Sequence, residues 1–306
     1  MNIFVIVVTY NGKRHYDKCF TSLRHSTVPV HTIVVDNASN DGSAEYIKEN
    51  YPEIFLIESH SNLGFGRANN LALQFALNNN CDFVFLLNQD TWIKNNTIEE
   101  LLTVSDRFPG YGIYSPMHVS ANERSLYIEI EDGQTDHANE LLSDCYFQSL
   151  KDVYVFKYVN AAAWFIPRST LETIGGFDPI FFLYGEDDNY LQRLEYHGLK
   201  LALVPKIQII HNHQEKNYSQ DFRIYRHQQN RLVYYTNILN SFSVQSYSLY
   251  LYRKLLLAFI LMDRKKYSRI KSEIRFFRSQ KKKIAISRSR NCQKGRTWLD
   301  LDKCCK

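Results

Sequence analysis

Four apolar runs in the first 110 residues each lead into side chains that bind or ligate. The first ends in Thr9-Tyr10-Asn11, the second in Asp36-Asn37-Ala38-Ser39, and the fourth in Asn88-Gln89-Asp90-Thr91. After the third comes Asn62-Leu63-Gly64-Phe65-Gly66-Arg67-Ala68-Asn69-Asn70. Taken singly, each is an ordinary turn, with an acid capping a helix or a glycine turning a corner. Four together point to one polar cleft. Further on, Glu186-Asp187-Asp188 follow the aromatic run Phe181-Phe182-Leu183-Tyr184 and open a helical pattern. Acids in a first helical turn complement the helix dipole. Three in a row exceed that need, because like charges repel. Lastly, His211-Asn212-His213 closes the apolar run Ile207 to Ile210. The two histidines share a side of an extended chain, and only one of them need matter. Oxygen and imidazole donors suit a divalent cation, and a carboxylate suits proton abstraction.

These residues need a scaffold that brings strand ends together. Strands are expected at Ile3–Val8, Thr32–Val35, Ile54–Ile57 and Phe83–Leu87, with helices at Tyr16–His25, Ser43–Asn50 and Gly66–Asn79. Ser43 reads as a helix cap. The third helix has apolar residues at Ala68, Leu71, Ala72, Phe75 and Ala76, which is helical spacing. Alternating β and α units predict a Rossmann-like α/β fold, a mostly parallel central sheet flanked by helices. In such sheets ligands bind beyond the carboxyl ends of the strands, where the polar residues lie. The middle is richer in β pattern, with strand candidates at Tyr127–Ile130, Val153–Val159, Ala161–Ile166, Leu201–Val204 and Ile207–Ile210, and a helix at Asp188–His197. No Pro/Gly-rich linker interrupts it. From Asp221 to about Lys283 the pattern is helical. The division expected is 1–220 as one α/β unit, split at 110/111 into ligand-binding and catalytic halves, then a basic helical extension at 221–306.

The chain has 306 residues, 44% hydrophobic and 23% charged, which excludes a disordered or fibrous chain. Its six cysteines include no C-x-x-C pair, so neither a zinc site nor a dithiol motif is expected. The start, MNIFVIVVTYNG, has no basic region before its apolar residues and reads as a first strand, not a signal peptide. The net charge of +5 hides a split. From Arg253 onward there are 18 Lys and Arg against 4 Asp and Glu, and before it 19 against 28. An acidic body with a basic tail suggests an anionic partner for the tail, lipid or nucleic acid.

The ordered set Val8-Thr9-Tyr10-Asn11, Val35 to Ser43, Asn62 to Asn70, Leu87-Asn88-Gln89-Asp90, Gly175-Gly176-Phe177-Asp178 and Glu186-Asp187 resembles the family 2 glycosyltransferases of GT-A fold. The likeness covers about residues 3 to 215 and is greatest to the bacterial rhamnosyltransferase-like branch. It implies inverting sugar transfer from a nucleotide-diphosphate sugar, dTDP-rhamnose or a UDP-sugar, to a glycan or lipid-linked acceptor of surface polysaccharide synthesis. By resemblance, Asp36 contacts the nucleotide, Thr9, Tyr10, Asn11 and Asn37 line its pocket, and Asn62, Gly64, Phe65, Gly66, Arg67 and Asn70 follow the nucleotide and diphosphate. The family's D-x-D motif falls at Asn88-Gln89-Asp90, in the N-x-D version common in that branch. Metal ligation, by Mn²⁺ or Mg²⁺, then rests on Asp90, with His211 in place as a further ligand. Asp187 is implied as the general base, with Glu186 and Asp188 supporting it. Trp164 and the aromatic run Phe181, Phe182 and Tyr184 read either as an acceptor platform or, each ring taken singly, as core packing. Two alternatives stand beside this. A sugar nucleotidyltransferase usually carries a Gly-rich loop after strand one, and Thr9 to Arg14 offers a single glycine. An inactive transferase-like domain binding lipid or nucleic acid through its tail sits poorly with the intact Asp36, Asp90 and Asp187, and no nucleic acid partner is expected.

The longest apolar run near the C-terminus, Leu255 to Met262, is far short of a membrane span. Leu255, Leu256, Phe259 and Ile260, then Lys265, Lys266, Arg269 and Lys271, read either as basic amphipathic helices on an anionic membrane or as a solvated basic face. The location expected is cytoplasmic, peripheral on the inner face of the cell membrane.

Overall fold

The computed structural model describes residues 1–126, 135–212 and 219–299. The strand candidate Tyr127–Ile130, His213, Cys304 and Cys305 lie outside the described residues. The first half runs β1 Ile3–Thr9, α1 Tyr16–Arg24, β2 His31–Asp36, α2 Ser43–Asn50, β3 Phe55–Glu58, α3 Phe65–Asn78 and β4 Phe83–Asn88. It continues with β5 Thr91–Ile93, α4 Thr97–Arg107, β6 Ile113–Ser120 and α5 Thr135–Tyr146. Then come β7 Tyr154–Phe156, β8 Ala163–Pro167, α6 Arg168–Ile174, α7 Glu186–Tyr196 and β9 Leu201–His211, followed by α8 Gln220–Thr236, α9 Val244–Ile260 and α10 Arg264–Asn291.

One nine-stranded sheet has the order β3-β2-β1-β4-β8-β6-β9-β5, with β7 also paired to β9. β3, β2, β1 and β4 are mutually parallel, as their helical crossovers require. β8 joins antiparallel to β4, and β6 and β9 run parallel to each other. Side chains alternate across β1. Phe4 and Ile6 face α3 and α7 (Ala68, Ala72, Leu73, Tyr190, Leu194), whereas Ile3, Val5 and Val7 face α1, α2 and α4 (Phe20, Leu23, Ile47, Leu101). Burial on both faces explains why β1, β2 and β4 read as continuous apolar runs.

Several boundaries differ from the sequence expectation. Leu201–Val204 and Ile207–Ile210 form one strand, β9. Its register against β6 shifts where Val204 faces Pro116 and Gln208 faces Met117, so the Pro205-Lys206-Ile207 step is an irregularity within the strand and not a strand end. The cap of α2 is Gly42, in left-handed conformation, and the Ser43 hydroxyl turns to Asp41 and Tyr16 instead. The expected strand at Val153–Val159 shrinks to β7.

The C-terminal helices are built onto the body. Phe181 shares a third apolar cluster with Leu232, Tyr235, Leu251, Ile274 and Phe277. Buried Asp178 accepts from Ser287 and Asn291 of α10, and Leu299 packs into the same core layer as β1 and α3.

Candidate active site

Each strand end carries its polar residues into position by a backbone clip. Gln89 accepts from the Tyr10 amide (3.0 Å) and donates to the Tyr10 carbonyl (3.3 Å), which ties the ends of β1 and β4 together. A Cβ on Gly12 would come within 2.1 Å of that Gln89 amide, so any other residue there would push the clip aside. Thr9 Oγ1 donates to Asp36 Oδ1 (3.1 Å), and the Ser39 amide donates to Asp36 Oδ2 (3.0 Å). Asn11 and Ala38 both hold left-handed backbone (φ 48° and 61°), a cost that clusters at functional turns. Asn37 donates to Asn62 Oδ1 (2.9 Å) and accepts from the Leu63 amide (2.7 Å), fixing the loop before α3. Gly64 (φ 79°) lies so close to the loop before α7 that a Cβ would meet the Phe182 carbonyl oxygen at 1.9 Å.

Two cavities open at these ends and share Phe65, Asn88, Asp90 and Leu183. The first, about 410 Å³, is lined by Val8, Tyr10, Asn37, Asn62, Gly64, Gln89 and Phe182. The second, about 240 Å³, is lined by Tyr158, Asn160, Tyr184, Glu186, Asp187, His211 and Arg226. Asp90 and Asp187, far apart in sequence, therefore face one space.

Strand pairing brings Asp90 to His211. β5 runs antiparallel to β9 with Thr91 opposite His211, and the Asn212 amide donates to the Asp90 carbonyl (2.9 Å). His211 Nε2 then stands 3.4 Å from Asp90 Oδ1. Burial disfavours the ionised carboxyl of Asp90, but the hydrogen bond and charge of His211 outweigh it and hold the group below the usual carboxylate range. Buried His118 lies edge-on to His211, ring centroids 6.1 Å apart. Burial and the His211 charge push its imidazole down to about 3, so it stays neutral. One carboxylate and one imidazole are donors that a divalent cation accepts, and they supply only part of its usual set. Among the described residues no cluster of three or more His, Cys, Asp or Glu forms a complete cage.

Glu186 and Asp187 open α7 behind Gly185, whose left-handed backbone ends the aromatic loop. Asp187 Oδ2 accepts from the Tyr158 hydroxyl (2.9 Å), and Oδ1 from the Asp188 amide (3.0 Å). Glu186 is buried, and its Oε2 has no hydrogen-bond partner. Burial, then the neighbouring Asp187 charge, push its carboxyl up to about 8. Two adjacent acids thus have different environments, one hydrogen-bonded through both oxygens and one with its carboxyl pushed up by burial. The raised group fixes a sign. Between the ordinary glutamate value and about 8 the folded chain binds this proton more tightly than the unfolded chain does, so stability falls as pH rises through that window. Glu186→Gln is expected to flatten the fall and to melt a few degrees above the parent at pH 8–9, since ~1 kcal/mol is worth roughly 2–4 °C in domains of 150–250 residues. Thermal melts across pH check this.

Several residues expected at the site are elsewhere. Trp164 is fully buried, stacks near Phe177 and donates to the Val159 carbonyl, so it is core and offers no acceptor platform. Phe181 is likewise buried, while Phe182 and Tyr184 line the cavities. Asn70 is buried, accepting from the Phe177 amide and donating to the Phe177 and Trp298 carbonyls. Arg67 spends its guanidinium on the Pro179 carbonyl (2.8 and 3.2 Å) and lines neither cavity. Gly66 is a spacer: a Cβ there would meet Phe177 at 2.9 Å. Thr9 is fully buried, so it braces Asp36 and lines no cavity. Asp36 itself is 4% exposed.

Sequence reasoning missed Tyr158, Asn160 and Arg226. Arg226 comes from α8, beyond the expected unit, and stacks on Tyr184 with its guanidinium 4.3 Å from the ring centre. α8 is held there by Tyr225, whose hydroxyl donates to the Leu183 carbonyl (2.8 Å) and accepts from the Leu183 amide. One of the three arginines of α8, Arg226 carries no signal of its own in the sequence.

The sequence matches the family model "Glycosyl transferase family 2" over residues 4–154 and "Glycosyl transferase family group 2" over residues 83–269. It is 26% identical over 237 residues to the N-acetylglucosaminyl-diphospho-decaprenol L-rhamnosyltransferase of Mycobacterium tuberculosis, covering 68% of this chain and 75% of that one. It is 21% identical over 224 residues to the dTDP-rhamnosyl transferase RfbF of Shigella flexneri, covering 69% of each. The fold is similar to S. aureus TarS 1-349, solved with UDP-GlcNAc (TM-score 0.56, 15% identity, 79% of this chain and 68% of that one). It is also similar to the mannosyltransferase PcManGT of Pyrobaculum calidifontis, solved with GDP-Man and Mn²⁺ (TM-score 0.57, 19% identity, 79% and 65%). These structural neighbours are glycosyltransferases of GT-A fold.

Proposed function

Because this chain belongs to the family 2 glycosyltransferases, we propose that it transfers a sugar with inversion, from dTDP-rhamnose or a UDP-sugar to a hydroxyl of a lipid-linked glycan, at the cytoplasmic face of the cell membrane. Rhamnose as the sugar is supported by the names of the relatives. The observation that carries the reaction is the shared cavity: the Asp90–His211 pair and Asp187 border one space, and that space adjoins the larger strand-end pocket.

In this reading the larger cavity takes the nucleotide, between Tyr10, Asn37, Asn62 and Phe182, with Asp36 and Asn11 holding its rim. Asn88 and Gln89 lie at the junction, where the diphosphate would sit. Asp90 and His211 would hold Mn²⁺ or Mg²⁺, which when bound offsets the charge that builds on a leaving diphosphate. Arg226, rather than Arg67, is the guanidinium turned to that charge. Asp187, oriented by Tyr158, accepts the proton of the acceptor hydroxyl as it attacks the anomeric carbon from the opposite face. Glu186, protonated, supports Asp187 without adding a second negative charge, and Asp188 fixes it through its backbone amide. Residues 1–220 then form the catalytic unit, and 221–306 a helical extension that completes its rim.

A product assay separates the readings. Incubation with dTDP-rhamnose or UDP-sugars, Mn²⁺ and a polyprenyl-diphosphate-linked sugar is expected to release nucleoside diphosphate and extend the lipid-linked product. Release of inorganic pyrophosphate, or no turnover with any donor that raises the melting temperature, overturns the proposal.

A further inference from the structure

The turn from α9 to α10 exposes apolar residues that no packing within the chain explains. Phe259, Ile260, Leu261 and Met262 are 67%, 64%, 63% and 87% exposed, and Leu256 and Leu257 extend the surface along α9. The opposite side of α9 is satisfied, with Leu251 and Ala258 buried against Ile270, Ile274 and Phe277 of α10. The exposed side is therefore surplus to the helical hairpin. It is continuous, and patches of that kind mark an interaction site.

Charge identifies the partner. Residues 244–272 hold seven Lys and Arg (Arg253, Lys254, Arg264, Lys265, Lys266, Arg269 and Lys271) against one acid, Asp263. That acid is spent capping α10, where it accepts from the Lys266 amide (2.9 Å). The next acid, Glu273, faces inward and is bonded to Arg231 and Tyr247. An apolar tip collared by unopposed cations is the chemistry of an interfacial segment, with apolar groups among acyl chains and basic groups at anionic headgroups. A second copy of the chain would bring the same seven cations face to face, which like-charge repulsion opposes. No helix among the described residues is long and apolar enough to cross a membrane, so the fit is to lying on a bilayer.

We propose that the α9–α10 tip, Leu256 to Lys266, docks this enzyme on an anionic lipid bilayer, with Phe259 to Met262 entering the acyl region. α10 runs back from the tip to Ser287 and Asn291, which bond Asp178 at the base of the loop that leads to Asp187. At 1.5 Å per residue, the 27 steps from Arg264 to Asn291 make a strut of about 40 Å. The inference deepens the lipid-linked acceptor reading and rests on it for its purpose alone, because docking is measured without sugar transfer.

The test is co-sedimentation of the full chain with phosphatidylcholine vesicles and with phosphatidylglycerol-rich vesicles. The wild-type chain is expected to bind only the anionic vesicles, more weakly in high salt. Replacing Phe259, Ile260, Leu261 and Met262 together by Ser, and separately Lys265→Glu with Lys266→Glu, is expected to weaken binding by roughly tenfold or more. Far-ultraviolet melting curves matching the parent confirm folding, and the two variant sets touch different residues, so a misfolded one leaves the other as the test. Binding equal to wild type in the folded variants overturns the proposal, as does absence of vesicle binding. So does a concentration-dependent oligomer in light scattering that only the serine variant dissolves, because the surface is then a self-interface. Vesicle binding with no sugar transfer by the wild type keeps the docking surface and removes the reaction instead.

Discussion

Asp187→Asn is expected to lower sugar transfer by about 10²–10⁴-fold, the usual contribution of a positioned general base, while donor binding stays within a few-fold of the parent. The asparagine keeps the shape: its oxygen can still accept from the Asp188 amide, and its NH2 can donate to the Tyr158 hydroxyl, which turns to accept, so the two partners that orient the side chain are kept. What it loses is basicity. The substitution removes one negative charge from the first turn of α7, worth about 0.3–1 kcal/mol at a helix N-terminus, which does not threaten the fold. Donor affinity should persist because the larger cavity, where the nucleotide is proposed to sit, does not include Asp187. Single-turnover transfer and a separate donor titration check the two halves. Near-normal turnover would remove Asp187 from the role of base, and a matching collapse of donor affinity would make it a binding residue.

Asp90→Ala is expected to remove transfer altogether, with added Mn²⁺ unable to restore it. Chelated wild-type protein, by contrast, should recover on adding Mn²⁺ or Mg²⁺. The reason is the thinness of the donor set. With asparagine at position 88, Asp90 is the sole carboxylate of the N-x-D segment, and His211 at 3.4 Å is its partner. An imidazole without a carboxylate holds a hard cation poorly. The contact with His211 also keeps Asp90 ionised against its burial, so the anion is ready at neutral pH. Mn²⁺ titration by calorimetry, with nucleoside diphosphate present, reads the loss without reference to turnover. Full activity of the wild type in chelator, or metal-rescued activity of Asp90→Ala, would take the cation out of the mechanism.

These two expectations differ in how far they were legible in the residues. The periodicities of β1, β2, β4, α1, α2 and α3 were readable because parallel strands buried on both faces are continuous apolar runs and their crossover helices are amphipathic. The short elements β5 and α6 were not, and neither were the longer α4, β6 and α5. β5 exists because β9 offers it an edge. The ladder that sets Asp90 beside His211 is thus a long-range pairing, and no local pattern encodes it.

The same limit explains the misplaced residues. Asn70, Arg67 and Trp164 stand in or near motif segments, yet their polar atoms are consumed by Phe177, Pro179 and Val159. A motif names a segment but not which side of a helix or strand faces the cleft. Arg226 is the converse case, an unmarked residue that Tyr225 and Leu183 draw to the cavity rim.

By itself, then, the order of residues carried the motifs by which the chain resembles its family, and determined the α/β layering and the strand ends at which polar residues gather, since the layering and strand ends follow from local periodicity and from turns that only certain residues make. Tertiary structure alone decided which side chains share a cavity, that Glu186 is buried with its carboxyl pushed up while Asp187 is hydrogen-bonded, and that the C-terminal helices supply both an arginine to the rim and an exposed apolar tip. Those outcomes depend on burial and on contacts between distant segments, and both are properties of the packed chain rather than of any stretch of it.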